Sequence, residues 1–190
     1  MKENKLTYKP YWYVKRLIDI ILSLILIVIT LPLMLITVVI LMISLGFPIF
    51  NQKRYREGLY KKKYLMYKFR TKKLDVDHLP RNKRYTKISY IIDKLKLNEL
   101  PQLFNVLFGQ MSFVGPRPFI PNDELPDGKI NNKRYYVRPG LISLAFVNKD
   151  GMLTHEKKLS YDIKYYDNFS FKQDLIIFLK APIYILKRLK

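Results

Sequence analysis

The residues whose spacing carries the most chemistry lie in Leu97–Pro118, LNELPQLFNVLFGQMSFVGPRP, where Asn98 and Glu99 open a helix and Arg117 sits in a Gly-Pro-Arg-Pro turn. Asn98 is a good N-cap, and Glu99 and Pro101 suit a first turn. Leu100, Leu103, Phe104, Leu107 and Phe108 repeat at helical spacing until Gly109 stops them. A helix start offers free N–H groups and a positive dipole end to an anion, and an arginine in the next turn can fork onto phosphate oxygens. The pattern predicts a phosphate site; a buried helix with an ordinary cap fits the same spacing.

The composition narrows the partners. Lys+Arg 35 against Asp+Glu 15 gives a formal charge of +20, which calls for an anionic partner: phosphorylated substrate, anionic lipid or nucleic acid. There is no cysteine, so disulfides and thiolate metal sites are excluded, and two histidines do not make an ordinary zinc centre. Any metal should be a hard cation on oxygen ligands, and Mg²⁺ is the expected one.

These groups must be positioned by something, and the first candidate is apolar. Leu17–Phe50 is dominated by Leu, Ile, Val, Met and Phe, with Asp19, Ser23, Thr30, Thr37 and Ser44 as its polar side chains. As one helix its 34 residues would run ~51 Å, well beyond a ~30 Å hydrocarbon core. Pro32 sits near the middle, so a kink is expected there, with Thr30 meeting part of the opened backbone. Basic residues flank both ends, Lys2 to Arg16 before and Lys53 to Lys63 after, which places both ends in the cytoplasm. The expectation is a re-entrant helix-break-helix over residues 1–50 with Lys15, Arg16 and Asp19 at the headgroup level; a single tilted span is the alternative.

Residues 51–190 read as one cytoplasmic domain, mainly α with a small β-hairpin. Pro48–Arg54 and Tyr64–Arg70 form the expected hairpin about Glu57-Gly58, and Lys72–Lys87 a polar loop. Ile88–Leu97 reads as helix, Pro121–Asn132 as a surface loop, and Thr154 as the cap of a helix from His155 to about Tyr166. Ser170 and Gln173 form a capping box opening an amphipathic last helix, kinked at Pro182, which suits an anionic membrane surface or a core.

Leu97–Pro118 resembles the signature of the bacterial sugar transferases, the monotopic phosphoglycosyl transferases that put a sugar 1-phosphate onto a polyprenyl phosphate. Tyr67-Lys68-Phe69-Arg70 and Arg138-Pro139-Gly140 match two further motifs of that family, and Tyr161-Asp162-Ile163 a third. The resemblance implies an α/β cytoplasmic part on a re-entrant anchor at the bacterial inner membrane, facing the cytoplasm. It also implies a UDP-sugar and undecaprenyl phosphate as substrates, Mg²⁺ as cofactor, and priming of glycan assembly. Lys68, Arg70, Arg117, Arg138 and Asp162 then fall at substrate-binding positions, Glu99 at a catalytic and metal position, and Asn98 at the nucleophile's position. Dimerisation stays open.

The match departs from the family at charged positions. Asn98 stands where the family has the aspartate of an Asp-Glu dyad, and Asp93 where it usually has an arginine. Ser143–Asp150 lacks the family's glutamine and arginine. In the implied chemistry a carboxylate attacks the phosphate that carries the sugar, and the lipid phosphate then displaces it; a carboxamide is too poor a nucleophile for that role. Three readings follow: a transferase whose turnover is lost, a non-catalytic relative that binds nucleotide-sugar or lipid phosphate, and a basic nucleic-acid-binding protein. The apolar segment and the lack of a recognition motif count against the last. On the first reading, Asn98→Asp is expected to gain transfer.

Overall fold

The computed structural model describes residues 5–50, 54–76, 78–80, 83–121, 132–148 and 153–189, with side chains through Tyr184. Among the described residues the chain is mainly helical, with two small sheets and one long apolar helix near its start. That helix, α1, runs Pro10–Leu45, with Pro10 at its first position and Gly46, at φ 65°, closing it onto Met42 O. The apolar element therefore begins and ends earlier than Leu17–Phe50. The break expected at Leu31-Pro32 is not a gap, because the helix is continuous through Pro32. Thr30 Oγ1 donates to Leu26 O at 2.7 Å and not, as expected, to the Val28 carbonyl that the proline deprives of its donor.

Burial along α1 is uneven. Asp19 and Ser23 are buried on one side of the proline, and Met34, Thr37 and Leu41 on the other. Between them Val28, Ile29, Leu31 and Leu33 stand exposed. Both flanks of α1 are tied to the rest of the molecule. Near its start, Arg16 donates to Val106 O and Leu107 O, both at 2.6 Å, and Asp19 Oδ1 accepts from Ser112 Oγ and Phe113 N, both at 3.1 Å. Lys15 pairs with Asp174. These three residues are thus engaged by protein rather than held out toward headgroups. At the far end, Ser44 Oγ meets Thr86 Oγ1 at 2.6 Å.

Strands β1 (Tyr55–Glu57) and β2 (Lys63–Leu65) pair antiparallel, and a bridge from Phe50 to Phe69 extends the expected hairpin to its base. The turn is not at Glu57-Gly58, since Glu57 is paired with Lys63; the connection is a 3-10 turn, Leu59–Lys61, with Tyr60 and Lys61 at positive φ. Helix α2, Lys87–Lys94, starts at a capping box between Thr86 and Ser89. A 3-10 turn, Leu97–Glu99, leads to the short helix α3, Gln102–Leu107, which Gly109 ends at φ 79°. Its buried face is Gln102, Leu103, Asn105 and Val106, while Phe108 of the anticipated stripe is exposed. Asn105 explains the rotation: it accepts from Tyr67 N at 2.9 Å and donates to Leu65 O at 2.8 Å, and so must face the hairpin.

The second sheet, which the sequence reading did not anticipate, pairs β3 (Ser112–Val114) with β4 (Gly140–Ile142) in parallel. Gly115 and Gly140 let it form, since a Cβ on either would collide with the other's backbone. The turns that carry Arg117 and Arg138 are thereby set side by side. A four-residue helix, α4 (Leu144–Val147), follows, then α5 (His155–Asp167) and α6 (Phe171–Leu189). Thr154 caps α5 as anticipated. Ser170 Oγ accepts from Gln173 N at 3.3 Å, but the Gln173 amide faces the Tyr165 and Asn168 carbonyls, so only half of the box forms. Helix α6 is continuous through Pro182. It buries Asp174, Ile177 and Ala181 and exposes Leu175, Ile176, Leu179 and Ile183. Most of the loop (122–131) and the Lys149-Asp150 step lie outside the described residues.

Candidate active site

The 3-10 turn after α2 gathers the charged groups. Lys96 takes a left-handed conformation, φ 65°, which ends α2 and turns the chain sharply enough for Lys96 Nζ to reach Glu99 Oε1 at 3.0 Å. From the base of the hairpin, Lys68 Nζ reaches the same oxygen at 3.0 Å. The Lys68 side chain is only 11 % exposed and that of Glu99 35 %, so this is a cationic pair partly withdrawn from water around one reachable carboxylate. Burial alone would raise the Glu99 carboxyl; Lys68 and then Lys96 outweigh it and hold it below its ordinary value. The strand end is fixed here by Phe69 N, which donates to Asn98 O at 3.0 Å.

Asn98 does not cap α3. Pro101 takes the cap position without a side-chain bond, and the early N–H groups of Leu100, Leu103 and Phe104 are used within the turn. The Asn98 side chain instead turns back to the end of α2. Its Nδ2 donates to Asp93 Oδ1 at 2.7 Å and lies 3.4 Å from Thr71 Oγ1, which itself donates to Asp93 Oδ1 at 3.1 Å. Asn98 is fully buried, and its Oδ1 meets no donor among the described residues. Asp93 is half-buried.

A second cluster forms where the two glycine turns meet. Asp162 on α5 is buried and pairs with Arg134 at 3.1 Å. The Arg117 N–H also donates to it. Burial raises the Asp162 carboxyl to about 6, against the pull of Arg134 and the Arg117 backbone. Arg134 Nη2 donates to Arg117 O at 2.6 Å, and its guanidinium lies 4.2 Å from the Phe119 ring centre. This leaves the Arg117 side chain exposed beside a small cleft lined by Glu57, Arg134 and Tyr135, where Tyr135 donates to Glu57 at 2.7 Å.

The remaining two arginines are placed elsewhere. Arg138 Nε donates to Gly109 O at 2.9 Å and its guanidinium lies 5.4 Å from the Trp12 ring centre, at the C-terminal end of α3 that Arg16 also caps. Arg70, expected on substrate, is buried and donates to the carbonyls of Pro48, Lys72, Leu45 and Gly46. It clamps the end of α1.

With this geometry in place, the comparison with known proteins is decisive. The family model of the bacterial sugar transferases matches residues 10–188. The chain belongs to that family. It is 39% identical over 169 residues to the uncharacterized sugar transferase EpsL of Bacillus subtilis, spanning 86% of this chain and 83% of that protein. It is 40% identical over 181 residues to the UDP-glucose:undecaprenyl-phosphate glucose-1-phosphate transferase of Klebsiella pneumoniae, and 33% over 187 residues to the Xanthomonas campestris protein of the same name. The alignments span 87% and 90% of this chain but only 38% of each of those two relatives. By resemblance the chain is a sugar-phosphate transferase.

Of the family positions, the structure joins Lys68 to Glu99, turns the Asn98 side chain away from them to Asp93, sets Arg117 beside Asp162, and holds Arg138 and Arg70 on backbone carbonyls. Sequence reasoning missed Lys96, Thr71 and Arg134. Lys96 had a local signal, three residues before Glu99. Thr71 and Arg134 had none, because their partners lie 22 or more residues away.

Proposed function

We propose that this chain transfers a sugar 1-phosphate from a UDP-sugar to undecaprenyl phosphate at the cytoplasmic face of the inner membrane, priming glycan assembly. The observation that carries the reading is the convergence of Lys68 and Lys96 on Glu99, beside position 98 of the family signature. Two ammonium groups around a reachable carboxylate supply what a diphosphate needs: cations to spread its charge, and an oxygen ligand for a divalent ion. Mg²⁺ binds through one or two carboxylates plus substrate phosphates, and Glu99 would hold it here; when bound it neutralises phosphate charge. Among the described residues no cluster of three acidic, His or Cys side chains exists, which that mode does not need. Arg117, exposed at its cleft, is free to reach a second phosphate or the lipid head.

The membrane part of the reading rests on α1. Both its ends are bonded to one folded body, by Arg16 and Asp19 at the start and by Arg70 and Ser44 at the end, while its middle around Pro32 stands exposed and apolar. A straight span would part the two ends across the bilayer, so a re-entrant insertion fits better. The exposed apolar face of α6 adds a second contact with the interface.

The test is transfer in lipid nanodiscs containing undecaprenyl phosphate and Mg²⁺, with radiolabelled UDP-glucose or UDP-galactose. Label moving into the organic phase with release of UMP is the expected result. Binding of UDP-sugar with neither label transfer nor UMP release supports instead a non-catalytic relative, which the carboxamide at position 98 favours.

A further inference from the structure

The hydrogen bond between Asn98 and Asp93 places a carboxylate next to the position that the family's nucleophile occupies. The resemblance implies an arginine at 93 and an acid at 98. In this chain the acid is at 93 and the donor, Asn98 Nδ2, is at 98, at 2.7 Å. We propose that Asp93 is the nucleophile of this transferase, with Asn98 and Thr71 as the residues that position it; the inference rests on the transferase reading above.

Five observations support it. Both positioning donors meet the same atom, Oδ1, at 2.7 Å and 3.1 Å, while Oδ2 meets no donor among the described residues and is left to react. Asp93 is half-buried rather than sealed, whereas Asn98 is completely enclosed and cannot itself meet a substrate without movement. The Asn98 amide is buried although its own Oδ1 has no partner, so its bond to Asp93 is what that burial secures. Lys68 and Lys96 gather at Glu99, next in sequence to Asn98, where the anionic substrate would be held. The other nearby acid, Glu99, has two ammonium groups on its Oε1, and their charge lowers the nucleophilicity of the whole carboxylate.

In the first step an Asp93 oxygen attacks the phosphorus that bears the sugar. The P–O bond to the UMP leaving group breaks, UMP departs with the electron pair, and an acyl phosphate joins Asp93 to the sugar phosphate. In the second step an oxygen of the polyprenyl phosphate attacks the same phosphorus, and the Asp93 carboxylate leaves unchanged.

The experiment is adduct mapping on the full chain in nanodiscs, first with UDP-glucose or UDP-galactose and Mg²⁺ but no lipid acceptor, then with undecaprenyl phosphate. The parent should gain one phosphosugar mass, localised by peptide fragmentation to Asp93, and should lose it when acceptor is added. Asp93→Asn should abolish the adduct and lower transfer on the order of 10³-fold or more. Asn98→Asp, which sets a second carboxylate against Asp93, should lower transfer about tenfold rather than raise it. This reverses the gain that the sequence alone led us to expect. An adduct on Glu99, transfer with no adduct on Asp93, or a gain of transfer in Asn98→Asp each overturns the assignment while leaving the transferase reading intact. Absence of transfer and of UMP release in the parent overturns both. Because the adduct is sought on the unaltered protein, misfolding of a variant does not decide the outcome.

Discussion

Glu99 and Asp162 each face a cation, yet Glu99 is held below its ordinary value while Asp162 is pushed up to about 6. The difference lies in how many charges meet each carboxylate and how much water each keeps. Two ammonium groups at 3.0 Å meet Glu99, whose side chain is 35 % exposed; one guanidinium at 3.1 Å meets Asp162, whose side chain is 3 % exposed. Where solvent reaches the pair, attraction wins; where it does not, the cost of burying charge wins. The first arrangement suits a place that a phosphate enters. The second suits a brace, which holds the Arg117 turn against α5.

The comparison breaks most visibly at Arg134. Arg134→Met leaves Asp162 buried without its counter-charge and should cost about 3–5 kcal/mol in a chemical melt in detergent. Adding Asp162→Asn should recover most of that loss; a double variant no better than the single would show that Asp162 is not what the arginine balances.

Next in size is the pH dependence. The folded-state value of Asp162, about 6, lies above its ordinary 3.8, so the folded protein binds the proton more tightly. Its contribution favours folding at acid pH, fades as pH rises from about 4 to about 6, and amounts to about 3 kcal/mol at most. Glu99 has the opposite sign: its contribution is present above its ordinary 4.5 and is lost as pH falls below it. Screening at this partly exposed pair keeps that term under about 1 kcal/mol. Between pH 7 and pH 5 the parent should therefore gain stability relative to Asp162→Asn, read as a shift in melting midpoint. An identical profile in the two proteins would put the raised value in doubt.

Smallest in stability but not in activity are the lysines. Lys68→Met and Lys96→Met should each change stability by less than about 1 kcal/mol, because they form partly exposed ion pairs. Lys68→Met should nonetheless lower transfer about 10²-fold, as loss of one charge-stabilising donor does, and Lys96→Met less, since its side chain is 36 % exposed against 11 %. Equal losses in both assays would recast Lys68 as a brace like Arg134.

Helix α5 and the stop at Gly109 were legible because caps and left-handed glycines are local signals, whereas α2 was read without its Thr86 cap and three residues too far, to Leu97. The β3–β4 sheet was not, since parallel pairing of Ser112 with Gly140 joins segments that no short pattern links. At the site, Lys68 and Glu99 were readable from motifs, and the acid at 93 was visible as a charge change. Its bond to Asn98 was not, because an i,i+5 contact across the end of a helix depends on the φ of Lys96 and not on helical spacing. Arg70 shows the limit from the other side. A guanidinium suits phosphate and backbone carbonyls equally, and only the fold shows that four carbonyls already hold this one.

That clamp has a mechanical consequence. Phe69 is bonded to the Asn98 turn, and Arg70, the next residue, is bonded to the last carbonyls of α1. Among the described residues, helix and site are thus tied through two adjacent residues. Sliding α1 by one turn, about 5.4 Å, would either break Arg70's grip or drag the Asn98 turn with it. In a membrane setting the helix would act as a ruler, and the height at which a lipid phosphate meets Asp93 would be written into one dipeptide.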